Sequence, residues 1–183
     1  MGKIAVTDGM APEAVETLQK AGYEVTLGFI EQHDLLSGGL SEYDAIIVRS
    51  ATKLGKEVIE ANPNLKIIGR AGVGVDNIDL ETAGKNGIMV VNAPHASTQS
   101  VVELTIGHLL SSMRHVAKAD RGIRAGKWEK KRLKGTELSG KCLGLIGFGR
   151  IAQGVAKVAQ SLGMEIHTYD PYLPAKVAKS QGA

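Results

Sequence analysis

The chain has 183 residues, of which 43% are hydrophobic and 22% charged, with a single cysteine. That length accommodates one large domain or two small ones, and the composition argues against a disordered or disulfide-stapled protein. A formal net charge of +3, from 22 Lys and Arg against 19 Asp and Glu, is too small and too dispersed for a nucleic-acid partner, and no apolar run approaches the ~20 residues of a membrane span.

The chain begins with a strand pattern at residues 4–7, without the layout of a secretory leader, so a cytoplasmic protein is expected. Further strands are predicted over 24–27, 45–48, 65–68 and 88–91, with helical stretches at 12–21, 55–61 and 80–86 between them. Pro12 suits a first helical position, and Gly22, Gly69 and Gly87 punctuate the joins. Short apolar strands alternating with helices predict a parallel sheet covered on both faces. Five such strands complete a first domain, taken as residues 1–96.

The loop from Asn92 to Ser97 leads into one long predicted helix over 98–123, which opens a second domain, residues 97–183. Ser100 and Glu103 have capping-box spacing, and Val101, Val102, Leu104, Leu109, Met113 and Val116 supply an apolar face. The basic loop around Trp128 (Lys127, Lys130, Lys131, Arg132, Lys134) reads as a solvated face, and His95, His108 and His115 as packed or solvated histidines rather than acid–base groups.

The chemistry concentrates in the stretch that follows. Leu143, Leu145 and Ile146 form an apolar strand that runs into Gly147-Phe148-Gly149, followed by a helical pattern from Ile151 and a second strand, Glu165 to Tyr169, ending at Asp170. Strand, Gly-x-Gly turn, helix, strand and acid is the layout of a Rossmann dinucleotide-binding βαβ unit. Gly147 permits the tight turn, Gly149 lets the backbone approach a pyrophosphate, and the helix start at Arg150 and Ile151 offers free amides and a positive dipole end. The third fingerprint position is Ala152, still small enough for close helix–strand packing. Asp170 can accept bonds from both hydroxyls of an adenosine ribose. With no arginine beside it to receive a 2′-phosphate, NAD is expected rather than NADP. Cys142, in the fingerprint strand, is expected to be a small core residue.

Five segments together resemble the D-isomer-specific 2-hydroxyacid dehydrogenases. They are Ile47-Val48-Arg49-Ser50-Ala51-Thr52, the run from Gly69 to Asp79 with its Arg70-Ala71-Gly72-Val73-Gly74-Val75-Asp76-Asn77, Val91-Asn92-Ala93-Pro94, Gly126-Lys127-Trp128-Glu129, and Gly135 to Lys141 leading into the fingerprint. The resemblance covers essentially the whole chain, and the pairing of the two arginine loops points to the branch that oxidises D-3-phosphoglycerate. It implies an α/β protein: a flavodoxin-like substrate domain on a parallel sheet, then the first part of a Rossmann domain.

The resemblance assigns substrate binding to Arg49, Ser50, Arg70 and the amides of Gly72 and Val73, with Val73 also bordering the nicotinamide. Many relatives carry threonine at position 73, and valine leaves only the backbone donor. The chemistry agrees, because each arginine sits at the C-terminal end of a predicted strand, where α/β folds place ligands, and guanidinium groups pair well with carboxylate and phosphate. The implied partners are a small anionic 2-hydroxy acid, NAD, and further copies of the chain in a dimer or tetramer. The family's catalytic arginine, carboxylate and histidine find no match before Ala183, so no catalytic residue is assigned and the chain is expected to be the N-terminal portion of a longer, active protein. Two other readings stay open: a glycerate, hydroxypyruvate or glyoxylate reductase of the same family, and a non-catalytic NAD-sensing protein of the corepressor type.

Overall fold

Each strand of the first ninety-six residues is four residues long, and each pairs in parallel with its neighbour. The computed structural model describes residues 2–180 and separates into two units, Met1–Ala96 and Ser97–Ala183. In the first unit, β1 (Lys3–Val6), β2 (Glu24–Leu27), β3 (Ala45–Val48), β4 (Ile67–Arg70) and β5 (Met89–Asn92) form a sheet in the order β2-β1-β3-β4-β5. The connecting helices are α1 (Pro12–Lys20), α2 (Gln32–Leu36), α3 (Lys56–Ala61) and α4 (Leu80–Lys85).

Alternation along β3 and β4 sends Ile46, Val48 and Ile68 into one core with Leu35, Val58, Ile59, Leu65 and Ala83, which lie on and beside α2, α3 and α4. The register sets Ile47 beside Gly69, Val48 beside Arg70, and Arg70 beside Asn92, so β3, β4 and β5 end level with one another.

Several boundaries differ from expectation. The strand predicted from 65 begins at Ile67, because Leu65 is used in a turn, its N–H donated to Asn62 O at 3.2 Å. The strand predicted at 88–91 runs one residue later, as Met89–Asn92. The short helix α2 is not expected from the sequence. It is held through Asn62, whose fully buried side chain accepts from Leu40 N at 2.8 Å and donates to Leu35 O at 2.8 Å and Val58 O at 2.7 Å.

The second unit contains α5 (Thr98–Arg114), α6 (Val116–Arg124), β6 (Cys142–Ile146), α7 (Arg150–Ser161), β7 (Glu165–Tyr169) and α8 (Ala175–Ser180), with β6 and β7 paired in parallel. Its core gathers Leu138, Phe148, Ala156, Ala159, Met164 and Ile166. Helices α5 and α7 approach tightly at Gly154, where a Cβ would lie 2.6 Å from Val102 Cγ2, while Ala152 packs against the edge of the core.

Several expectations are corrected here. The single helix over 98–123 is two, broken at His115, which adopts the left-handed conformation at φ 57 and ψ 32. The break frees Met113 O to accept from Thr136 N at 2.9 Å. Gly135 lets that segment in, since a Cβ there would stand 2.7 Å from the same carbonyl. The helix starts from Ser97 rather than through a Ser100 capping box, and Glu103 instead accepts from Gln99 Nε2 at 2.8 Å. Leu104 and Val116 are exposed rather than part of the core face. Cys142 is exposed, not buried. Along β6, Leu143 and Leu145 pack on the core while Cys142, Gly144 and Ile146 point the other way, and Ile146 is 96% exposed. After Asp170 the sequence also predicts a short helix over 174–181; the structure has it at Ala175–Ser180, and Gln181 lies outside the described residues.

Asn62 offers a direct test of the first core. Asn62→Ala leaves the Leu40 N–H and two carbonyls without their partner in a buried site, so it should lower unfolding stability by at least about 2 kcal/mol. Urea unfolding followed by far-UV circular dichroism measures this, and an unchanged transition contradicts it.

Candidate functional site

In the first unit the expected substrate residues come together at the C-terminal edge of the sheet. Arg49 and Ser50 follow the last residue of β3, Arg70 ends β4, and Gly72 and Val73 continue from it. Ala71 N–H donates to Val48 O at 2.9 Å, tying the start of the second loop to the end of β3. The third loop braces the second: Ala93 N–H donates to Gly72 O at 2.9 Å and Asn92 Nδ2 to Val73 O at 2.7 Å. Arg49 and Ser50 are exposed, and Arg70 is half-buried.

Two details define this edge. Arg70 Nε is buried and has no hydrogen-bond partner, an arrangement that costs free energy unless a ligand supplies an acceptor. A Cβ on Gly72 would overlap Arg70 Nη1, so the guanidinium lies across the glycine. The sequence reading has Gly72 supplying an amide to the substrate. In this structure its N–H is donated to Arg70 O at 2.8 Å, and its missing Cβ leaves room for the Arg70 side chain.

Two residues at this edge receive no role in the sequence reading, although Asn77 lies in the run that carries the resemblance. Asp8, just past β1, accepts from Arg49 N at 2.7 Å and Thr52 N at 3.1 Å through Oδ2, and from Thr52 Oγ1 at 2.7 Å through Oδ1. Asn77 Nδ2 donates to Arg49 O at 2.8 Å and Thr52 O at 2.7 Å. Burial pushes the Asp8 carboxyl up, but the Thr52 hydroxyl and the amides of Thr52, Arg49 and Ala51 outweigh it and hold the group below its ordinary value.

In the second unit β6 gives way to Gly147, whose φ of 87 is a conformation that favours glycine, and whose N–H donates to Tyr169 O at 2.7 Å. Phe148 is buried and anchors the turn from within. Gly149 is the N-cap of α7 in an extended conformation, with no side chain bonded over the helix end. A Cβ at Gly149 would meet nothing within 4 Å, so the space over the first amides of α7, at Arg150 and Ile151, is open. These features fit a dinucleotide pyrophosphate.

Asp170 stands at the end of β7 and reaches back to this turn. Its Oδ2 accepts from Phe148 N at 2.8 Å and its Oδ1 from Tyr172 N at 2.9 Å. Those two backbone bonds, Phe148's first, hold the carboxyl below its ordinary value despite some desolvation. Each oxygen retains a further lone pair able to accept from a hydroxyl. Because the folded value is depressed, the bracing is present above the unfolded-state pKa and is lost as pH falls through the folded one. The Phe148 amide resonance should therefore titrate with a midpoint below the ordinary aspartate value. A midpoint at or above it would contradict the bracing.

With a glycine turn, an uncapped helix start and a strand-end carboxylate, the second unit is of the dinucleotide-binding α/β class, preceded in the chain by a separate parallel-sheet unit. The sequence profile described as "D-isomer specific 2-hydroxyacid dehydrogenase, catalytic domain" matches residues 4–178, and the chain belongs to that family. It is 49% identical over 183 residues to the D-3-phosphoglycerate dehydrogenase of Methanocaldococcus jannaschii, covering 100% of this chain and 34% of the relative. It is 50% identical over 173 residues to the hydroxypyruvate reductase of Thermotoga maritima, covering 94% and 56%. A crystal structure of NAD+-bound 3-phosphoglycerate dehydrogenase from Entamoeba histolytica superposes with a TM-score of 0.74 at 34% identity, covering 96% of this chain and 56% of that one. The chain thus spans between about a third and somewhat over half the length of these relatives. Among the described residues, no helix is long and apolar enough to cross a membrane, and no cluster of His, Cys, Asp or Glu is arranged to hold a metal ion.

Proposed function

We propose that this chain carries the substrate-binding part and the first NAD-binding part of an NAD-dependent, cytoplasmic dehydrogenase that oxidises the C2 hydroxyl of D-3-phosphoglycerate to a ketone and works as a homo-oligomer. The observation that carries the proposal is the buried, unpartnered Nε of Arg70 at the same sheet edge as Arg49. Two guanidinium groups there suit a substrate with a carboxylate and a phosphate. Ser50 and the Val73 amide add neutral donors for the substrate oxygens. NAD bound there would supply the acceptor for the hydride of C2. Gly147, Gly149 and the amides opening α7 at Arg150 and Ile151 hold its pyrophosphate, and Asp170 holds the adenosine ribose while repelling a 2′-phosphate. None of these residues is assigned the acid–base role.

The strong match to a hydroxypyruvate reductase supports a second reading, in which the substrate lacks the phosphate and one arginine serves only long-range attraction. A substrate panel separates the two. In the complete gene product, Arg49→Ala and Arg70→Ala should each raise the KM for 3-phosphoglycerate about ten- to a hundredfold, the loss of ~1.5–3 kcal/mol expected of a charge-assisted bond, while leaving NADH affinity unchanged. An unchanged KM in both variants would remove the phosphorylated substrate. For the cofactor, NADH should bind far better than NADPH, and Asp170→Ala should narrow the difference. Gly149→Ala, which meets no steric obstacle in the fold, should keep the melting temperature and lose at least about tenfold in NADH affinity. Equal binding of both cofactors by the unmutated protein would overturn the NAD assignment.

A further inference from the structure

The loop that bears Arg49 and Ser50 is a series of bends, not a regular turn, and side chains from two other loops grip its main chain. Asp8 arrives from the end of β1 and takes the N–H groups of Arg49 and Thr52. Asn77 arrives from the segment after β4 and donates to the carbonyls of the same two residues. The two side chains thereby hold four main-chain groups at both ends of a four-residue loop. The hydroxyls of Thr52 and Thr7, both buried, complete the grip with a bond at 2.9 Å. The Asn77 side chain serves this loop alone, with both Nδ2 hydrogens donated to it and the buried Oδ1 left without a partner.

The consequence is directional. A long arginine side chain can meet an anion in many ways, and fixing its Cα cuts the orientations it must lose on binding. Neither side chain is itself an anion ligand, because the Asp8 carboxylate offers only acceptors and both Nδ2 hydrogens of Asn77 are taken by loop carbonyls.

We propose that Asp8 and Asn77 are positioning residues that immobilise the loop at 49–52 and so preset Arg49 and Ser50 for the anionic substrate. This rests on the reading of Arg49 and Ser50 as substrate ligands. The role is geometric and does not need the negative charge of Asp8. In Asp8→Asn, a flipped amide could accept from both backbone N–H groups through its oxygen and donate to Thr52 Oγ1 through its nitrogen. A direct electrostatic role for the carboxylate would instead fail in Asp8→Asn as badly as in Asp8→Ala.

The test uses the complete gene product, 15N-labelled, as wild type, Asp8→Ala, Asp8→Asn and Asn77→Ala. Two quantities are read: hydrogen-exchange protection of the Arg49 and Thr52 amides, and the Kd for 3-phosphoglycerate by calorimetry. Asp8→Ala and Asn77→Ala should weaken binding at least about tenfold, in line with the sensitivity of bound geometry to small misplacements. Asp8→Ala should also strip protection from both amides, and Asp8→Asn should stay within about threefold of wild type in Kd. Loss of protection with an unchanged Kd overturns the proposal, as does Asp8→Asn failing like Asp8→Ala. If the wild type does not bind 3-phosphoglycerate, the substrate reading fails. Loop immobilisation is then judged on protection alone, kept in Asp8→Asn and lost in Asp8→Ala if correct, and unchanged in Asp8→Ala if not.

Discussion

The level parallel register of β3, β4 and β5 is the constraint from which the first unit's site follows. Val48 opposite Arg70, and Arg70 opposite Asn92, bring three loops out at one edge of the sheet at the same height. Side chains alternate faces along a strand, so a slip of one residue in β3 would turn Ile46 and Val48 out of the core. Core packing therefore fixes where Arg49 emerges, and the same buried residues that stabilise the sheet set the geometry at its edge. At that edge the Nε of Arg70 is a buried donor without an internal acceptor, the feature on which the proposed anion site rests.

The second unit solves a similar problem with backbone groups. The surface proposed to face the cofactor is a turn of two glycines and a helix end, which offers no side chain to preset. The turn must be held from outside, and Asp170 does so from the neighbouring strand through the Phe148 amide, with Gly147 bonded to Tyr169 O beside it. A residue expected to meet a ribose also supports the turn expected to meet the pyrophosphate. Asp8 in the first unit is a parallel case, a carboxylate at a strand end that organises a neighbouring loop through its backbone amides.

Much of this is legible in the sequence because it depends on local pattern. All seven strands of the two sheets can be read from short apolar runs, and the helices α1, α3, α4 and α7 from periodicity and glycine punctuation. The fingerprint turn and Asp170 can be read because their spacing is set by one βαβ unit. What escapes depends on distant partners. Asp8 is 41 residues from Arg49 and Asn77 is 28 from it, and neither carries a local signal of the bonds it makes. The five-residue α2 is too short to show a period, and it is held through a buried asparagine, Asn62. The break at His115 has no glycine or proline to announce it, and the segment packed against it, at Gly135 and Thr136, enters from later in the chain. Cys142 misleads because an apolar strand reads as buried on both faces, whereas β6 has one face on the core and one exposed.

Under the proposed function, the two arginines of the first unit would take the anion and the backbone turn of the second the dinucleotide. The most direct measurement titrates the labelled chain separately with 3-phosphoglycerate and with NAD+, following the Arg49 and Arg70 Nε–H resonances and the Gly149, Arg150 and Ile151 amides. The predicted result is that 3-phosphoglycerate shifts both arginine resonances and leaves the turn amides in place, and that NAD+ shifts the turn amides. Arginine resonances unmoved at saturating 3-phosphoglycerate, or turn amides unmoved at saturating NAD+, would contradict this division.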